Sequence, residues 1–305
     1  MTPDVVVYIS SVANAHRHPR KTACLESFAQ GVRAFGGRVL VEHLNRYQPS
    51  TLAVILGWAT PTTKGGANIA LRKQIIDQQQ RLGAYTMCID ASCFKYLDNT
   101  SSYLRYSIGG PFYDQANYAN HNSSSDQWNR IKKDLGIDLQ PEQVNHGHVL
   151  ICMQRDGGFS MKTINPLAWL DQKIQQIRTH TNRPIVIRPH PGDYRPQQFE
   201  KYRTQLGITV VNPADSRLTD NLRQAQSAVF FNSSASVAAV CAGVPVFVDD
   251  SSCVSWHVAN KDIAIINQPQ RFDRTQWIHD LAAAHWTDQD AQAGLIYQKF
   301  LPYLT

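Results

Sequence analysis

The feature that most constrains the fold is an alternation of short apolar β-rich runs with amphipathic helical segments, which occurs in two series. The β-rich runs lie at residues 5–9, 38–41, 53–56 and 85–89 in the first series, and at 148–153, 184–187, 208–211, 228–231 and 244–248 in the second. Strands that alternate with helices form mostly parallel sheets covered by helices. The pattern therefore predicts the α/β class with two consecutive β/α domains.

The helix that opens the second series is clearly marked in the sequence. Asn165 suits the N-cap position and Pro166 suits the first helical position. Leu170, Ile174 and Ile177 follow at the spacing that places them on one face of a helix. We expect this helix to cover one side of the second sheet.

The length of 305 residues exceeds what one hydrophobic core usually serves, which also favours two domains. Residues 99–141 separate the two series and are rich in Ser, Asn, Tyr, Gly and Asp, with one helix expected near residues 128–135. We interpret this stretch as loops and a domain connection. The predicted domains are residues 1–145 and 146–305.

Charge and cysteine usage limit the partners and the compartment. The net charge of +6 favours an anionic partner such as a nucleotide, a phosphoglycan or a nucleic acid, without choosing among them. The six cysteines are scattered and lack the paired spacing of a zinc site. No apolar run approaches the roughly 18 residues of a membrane span. We expect a cytoplasmic monomer with reduced thiols, no metal and no membrane partner.

Ligands of open α/β sheets bind beyond the carboxyl ends of the strands, so the loops that follow strands are the first places to search. The loop at residues 154–162 contains Arg155, Gly157 and Gly158, and its glycines allow the backbone to approach a phosphate closely. It matches neither the dinucleotide fingerprint GxGxxG nor a P-loop. The alternative is an ordinary turn between a strand and a helix.

The next strand ends in Arg188, followed by His190 between two prolines. The prolines hold the histidine in a rigid, non-helical segment, and the planar guanidinium of Arg188 suits phosphate oxygens. These features favour a histidine that faces a ligand. The alternative is a histidine with a purely structural hydrogen bond.

A third loop follows the apolar run at residues 228–231 and contains Asn232, Ser233, Ser234 and Ser236. Small polar side chains before a helix rich in small residues can bind an anion. An ordinary capping cluster is the alternative. The sequence lacks the GxSxG elbow of a serine hydrolase at this place, so we exclude that class.

These three loops together resemble the nucleotide-sugar-binding half of GT-B glycosyltransferases, over about residues 147–265. The resemblance implies two Rossmann-like domains that face a central cleft, a nucleotide-sugar co-substrate such as a UDP-sugar, and neither a metal nor a permanently bound cofactor. It also implies that the donor is held by Arg188, His190, Ser233, Ser234 and Ser236, with Arg155, Gly157 and Gly158 beside them.

The first domain contains the run Lys64-Gly65-Gly66-Ala67-Asn68-Ile69-Ala70, a helix after it, and the strand Tyr85-Thr86-Met87-Cys88-Ile89-Asp90. These segments are similar to those of the acceptor domain of T-even bacteriophage DNA β-glucosyltransferases. This similarity implies that residues 1–145 bind the acceptor, double-stranded phage DNA with hydroxymethylated bases such as 5-hydroxymethylcytosine, in the host cytoplasm. It also places the catalytic aspartate at Asp90.

A physical argument supports Asp90 independently. The acceptor hydroxyl must lose a proton when it attacks the sugar, and a carboxylate at the carboxyl end of a strand can accept that proton. A single base with direct displacement would invert the anomeric centre. Asp90 as a cap of the following turn is the alternative, and His16 and His18 are rival bases.

Contact with DNA requires cations that meet the phosphates. The first-domain residues that we expect to supply this contact are His16, Arg17, His18, Arg20, Lys21, Lys64, Arg72 and Arg105. The sequence thus predicts a glycosyltransferase that modifies DNA. Two alternatives stay open, a glycosyltransferase of surface polysaccharide synthesis and a non-catalytic protein that binds a nucleotide or a sugar.

Overall fold

Two compact units make up the chain in the computed structural model. The first contains Met1–Ser92, Thr100–Trp128 and His279–Thr305, and the second contains Cys93–Asn99 and Asn129–Ile278. The structure describes residues 4–17, 19–96, 102–143, 147–155, 160–193 and 195–304, without the side chains of His16, Pro19, Arg20 and Tyr96.

The first unit contains a six-stranded sheet and the helices around it. Its strands are β1 (Val5–Tyr8), β2 (Val39–Glu42), β3 (Leu52–Leu56), β4 (Tyr85–Ala91), β5 (Leu104–Ile108) and β11 (His285–Trp286). Its helices are α1 (Pro19–Ala34), α2 (Ala67–Arg81), α9 (Asp288–Gln292) and α10 (Leu295–Phe300). The sheet order is β11-β5-β4-β3-β1-β2, with β1 to β4 parallel and β5 antiparallel to β4.

The second unit contains a five-stranded, fully parallel sheet. Its strands are β6 (His148–Cys152), β7 (Ile185–Arg188), β8 (Ile208–Val210), β9 (Ala225–Phe230) and β10 (Val246–Val248). The helices are α4 (Pro166–His180), α5 (Glu200–Arg203), α6 (Leu218–Leu222) and α7 (Ser236–Cys241), while α3 (Asp126–Leu135) and α8 (Thr275–Ala283) span the unit boundaries. The order β10-β9-β6-β7-β8 is that of a Rossmann-like sheet.

Each unit has its own hydrophobic core, as two separate α/β domains require. In the first, Phe28 of α1 packs with Tyr297 and Phe300 of α10. Gly31 permits this packing, because a Cβ at this position would lie 2.0 Å from the carbonyl oxygen of Ala291. In the second, Trp169 of α4 packs edge-on against Phe231 after β9, with ring centroids 6.2 Å apart.

The prediction of the α/β class with two Rossmann-like domains is confirmed. The compact units differ from the division at residues 145/146 in three respects. Residues 93–96 and 129–143 lie in the second unit, and residues 279–304 lie in the first. Strand β5 also falls in the stretch that the sequence analysis interpreted as loops. In the described residues, no helix is both long and apolar enough to cross a membrane.

Candidate functional site

A cavity of about 590 Å³ lies in the second unit, at the carboxyl ends of its strands. The strand order reverses between β6 and β9, and this reversal is where open α/β sheets bind ligands. The lining residues come from the ends of four strands and from a segment after β4. They are Lys95, Cys152, Met153, Arg188, Pro189, His190, Pro191, Pro213, Ala214, Asp215, Ser216, Arg217, Leu218, Asp220, Ser233 and Ala235.

His190 lies in the wall of this cavity with a defined tautomer. Its Nδ1 accepts a hydrogen bond from the backbone N–H of Gly192 at 2.9 Å, so the ring proton is on Nε2. Burial lowers the pKa of His190, and the positive charges of Arg155 and Lys95 lower it further. The neutral imidazole therefore offers one donor, the Nε2–H, to a ligand.

Arg188 supports the loop that follows β8, whose residues also line the cavity. Its Nη1 donates to Asn221 Oδ1 at 2.7 Å, and its Nη2 donates to the carbonyl oxygen of Ser216 at 2.9 Å. Burial lowers the pKa of Arg188, but the guanidinium stays charged at neutral pH. Because the guanidinium group of Arg188 holds the loop that follows β8, this residue shapes the cavity as well as lining it.

Ser233 also lines the cavity, and Asn232 beside it forms the centre of a buried hydrogen-bond network. The Nδ2 of Asn232 donates to Ser252 Oγ and to the carbonyl oxygen of Ser160, both at 2.7 Å. The Nε2 of Gln154 donates to Asn232 Oδ1 at 2.8 Å and to Ser160 Oγ at 2.9 Å. Gln154 and Asn232 thereby join the two described ends of the loop between β6 and α4.

Other members of the predicted donor set lie in different places. Ser234 is half-buried and is not among the lining residues. Arg155 is exposed and lies beside His190 and Gly192, since a Cβ on Gly192 would be 3.9 Å from its Cδ. Gly157 and Gly158 fall outside the described residues.

Ser236 corrects an expectation of the sequence analysis. It is fully buried, and its Oγ is 2.8 Å from Ser255 Oγ and 3.4 Å from Cys253 Sγ. A side chain enclosed in this way cannot contact a donor in the cavity. Ser236 is the first residue of α7, and its place in a run of small polar residues gave no sign of the direction of its side chain.

Sequence reasoning missed several lining residues. Asp215, Ser216 and Arg217 follow β8, where the rule on strand ends could have placed them. Lys95 lies in a 3-10 helix, Cys93–Tyr96, and no sequence signal links that segment to the second unit.

Asp90, the predicted catalytic base, lies at the end of β4 in the first unit. Its Oδ2 accepts a hydrogen bond from Arg105 Nη2 at 2.8 Å, and its Oδ1 accepts one from the backbone N–H of Ala91 at 2.8 Å. The Asp90 side chain is 30% exposed, whereas that of Arg105 is 7% exposed. The pair therefore presents the carboxylate to solvent and keeps the guanidinium inside.

Arg105 and Arg72 were both predicted to contact DNA, but both have partners inside the first unit. Arg105 is buried against Asp90, and its guanidinium lies 5.6 Å from the ring centre of Tyr118. Arg72 donates from Nε and Nη2 to the carbonyl oxygen of Ser11, at 3.0 and 2.7 Å. Both guanidinium groups hold the first unit together instead of facing a nucleic acid.

The remaining cations of that set are only partly described. Arg17, Lys21 and Lys64 are exposed on the first unit. His18 and the side chains of His16 and Arg20 lie outside the description. Among the described residues, no three His, Cys, Asp or Glu side chains are grouped to hold a metal ion.

Comparison with known proteins supports the fold. No protein-family model matches the chain, and no curated protein matches it either. The solved structure of the KpsC β-Kdo 2,4 transferase of Thermosulfurimonas dismutans matches with a TM-score of 0.59 and 10% identity, over 93% of this chain and 90% of that one. The KpsC β-Kdo 2,7 transferase of the same organism matches with a TM-score of 0.54 and 11% identity, over 97% and 99%. The chain thus has a GT-B-type fold, as its resemblance implied.

Proposed function

We propose that the protein is a glycosyltransferase that moves a sugar from a nucleotide-sugar donor to a hydroxyl group. The cavity of the second unit carries the proposal, because a volume of about 590 Å³ at the strand-order reversal suits a nucleotide sugar. Its wall combines Arg188, Ser233 and a neutral His190, which are groups that bind phosphate oxygens.

Each of these residues has a defined task in the proposed reaction. The Nε2–H of His190 donates to a phosphate oxygen of the donor, where negative charge grows as the sugar leaves. The hydroxyl of Ser233 adds a second hydrogen bond. Arg188 keeps the loop after β8 in place and adds positive charge to the wall. We expect a metal-independent enzyme with a UDP-sugar as the first donor to test.

Asp90 is our candidate for the general base. Its carboxylate is partly exposed at the end of a parallel strand and oriented by Arg105 and Ala91. It would accept the proton of the acceptor hydroxyl as that oxygen forms its bond to the anomeric carbon and the nucleotide leaves. With a single displacement, the product has the inverted anomeric configuration.

A glycan is the acceptor that we favour, as in synthesis of a surface polysaccharide. Two cations expected to meet DNA, Arg72 and Arg105, have internal roles, and the fold is shared with transferases of the sugar Kdo. Hydroxymethylated DNA is the second candidate. The net charge of +6 and the exposed Arg17, Lys21 and Lys64 favour it.

One experiment tests donor and acceptor together. The protein is incubated with UDP-, GDP-, CMP- and dTDP-sugars, and with either hydroxymethylcytosine duplex DNA or a mixture of oligosaccharides. Mass spectrometry of nucleosides and glycans then detects the added sugar. We expect a glycan product from one donor, and a product on hydroxymethylcytosine would instead establish the DNA acceptor. Nucleotide binding without any transfer would contradict the enzyme and favour a non-catalytic binding protein.

A further inference from the structure

We infer that Lys95 binds the phosphate of the donor and thereby ties the 3-10 helix Cys93–Tyr96 to the occupied cavity. This inference rests on the proposed function, because it assigns a further binding residue to the same site. Lys95 lines the cavity together with His190 and Ser233. None of the sequence motifs contains it.

The electrostatics of the cavity wall agree with a phosphate near Lys95. Its ammonium group is close enough to His190 to contribute to the lowered pKa of that imidazole, as does Arg155. The negative charge of Asp193 acts on the same imidazole in the opposite direction, so two cations and one carboxylate lie near one neutral histidine donor. Such a group favours an anion, because each phosphate oxygen can accept a charge-assisted hydrogen bond.

The backbone that carries Lys95 is well anchored in the second unit. Cys93 and Phe94 are fully buried, and their 3-10 helix packs against α7, which follows the Ser233 loop. Lys95 itself is exposed at this position. A fixed backbone with a flexible four-carbon side chain can bring an ammonium group to a ligand and adapt to its geometry.

The position of Lys95 shortly after Asp90 in the chain has a second consequence. Lys95 follows Asp90 by five positions, and the chain passes from the first unit to the second between Ser92 and Cys93. A donor held by Lys95 therefore restrains the segment that continues directly from the strand of the proposed base. We expect donor binding to slow the opening of the 3-10 helix Cys93–Tyr96.

The test compares Lys95→Met with Lys95→Arg in the full chain. Isothermal titration with UDP, CMP and inorganic pyrophosphate measures binding. We expect Lys95→Met to weaken the nucleotide that the wild type binds best by about tenfold, a typical loss for one hydrogen bond to a charged group. Lys95→Arg should restore most of the affinity. Lys133→Met is the matched control, since Lys133 is exposed on α3 in the same unit and does not line the cavity.

Hydrogen exchange of the backbone amides is a second measurement, and the loss of one positive charge would not by itself change it. In the wild type, the amides of residues 93–96 should exchange more slowly with the nucleotide present, and in Lys95→Met this protection should disappear even at saturating nucleotide. Equal nucleotide affinity in wild type and Lys95→Met would overturn the inference while leaving the proposed function intact. A wild-type protein that binds none of the three probes would overturn both.

Discussion

The backbone N–H of Gly192 donates to Nδ1 of His190 at 2.9 Å, and this bond determines which ring nitrogen can serve a ligand. A histidine with Nδ1 as acceptor carries its proton on Nε2. The segment Pro189–Pro191 that presents the ring lines the cavity of the second unit. The prolines around His190 therefore matter because they fix the turn that makes this bond.

Replacing His190 should separate the role of its Nε2–H from the role of its ring. His190→Ala removes the donor and should weaken donor binding by about tenfold. His190→Gln can present an amide N–H near the position of Nε2 and should recover part of this loss. Titration calorimetry with the preferred nucleotide measures both. Equal losses in the two variants would contradict a hydrogen-bonding role for Nε2.

The network around Asn232 should be essential for the stability of the second unit. Asn232→Ala removes the side-chain amide, so Gln154 loses its acceptor and Ser252 loses its donor inside the protein. We expect the free energy of unfolding to fall by about 2–3 kcal/mol. Ser252→Ala is the milder comparison, at about 1 kcal/mol. Urea denaturation measures both values. Similar small losses would show that the network adds little.

Asp90→Asn tests the proposed base. We expect kcat to fall by at least about 100-fold, because an amide cannot accept the acceptor proton. The KM for the donor should stay within about twofold, because the donor cavity lies in the second unit and Asp90 lies in the first. Steady-state kinetics, with the donor that the screen of nucleotide sugars selects, measures both constants. An unchanged kcat would mean that another residue is the general base, and His16 and His18 would be the first to test.

The buried His285 should make the first unit sensitive to acid. Burial lowers its pKa from 6.5 to about 3, while Nδ1 donates to the carbonyl oxygen of Leu281 at 2.7 Å. Between these pKa values the unfolded chain binds a proton that the folded chain excludes. The free energy of unfolding should therefore fall as the pH drops below 6.5, by up to about 1.4 kcal/mol per pH unit.

His285→Asn supplies the comparison for that prediction. The asparagine keeps an N–H near the position of Nδ1 and has no proton to gain. Urea unfolding at several pH values between 4 and 7 should show a shallower decline for the variant than for the wild type. Parallel declines would mean that other groups cause the acid sensitivity.

The second sheet could be predicted from the sequence because its strands are parallel and three of them, β6, β9 and β10, are buried on both faces. Such strands appear as uninterrupted apolar runs, and β6 has four fully or nearly fully buried residues in five. Their order along the chain also places His190 and Ser233 at strand ends. The strand-end rule then brings these residues to one cavity without any knowledge of side-chain contacts.

Side-chain directions and non-local pairing could not be predicted in the same way. Strand β5 alternates polar and apolar residues, and its Arg105 is buried because Asp90 lies opposite it on β4. Arg72 finds its partner 61 positions away, at Ser11. A cation in the sequence suggests a charged surface, but its buried partner appears only when the chain has folded.

The assignment of residues 279–304 to the first unit also determines the order in which the protein can complete its folding. A ribosome releases the second unit, which ends at Ile278, before it releases the residues that cover α1. Until then, Phe28 and Gly31 lack the neighbours that α9 and α10 supply. The nascent first unit therefore exposes apolar surface while the second can already fold, and this period is when the chain most needs protection from aggregation.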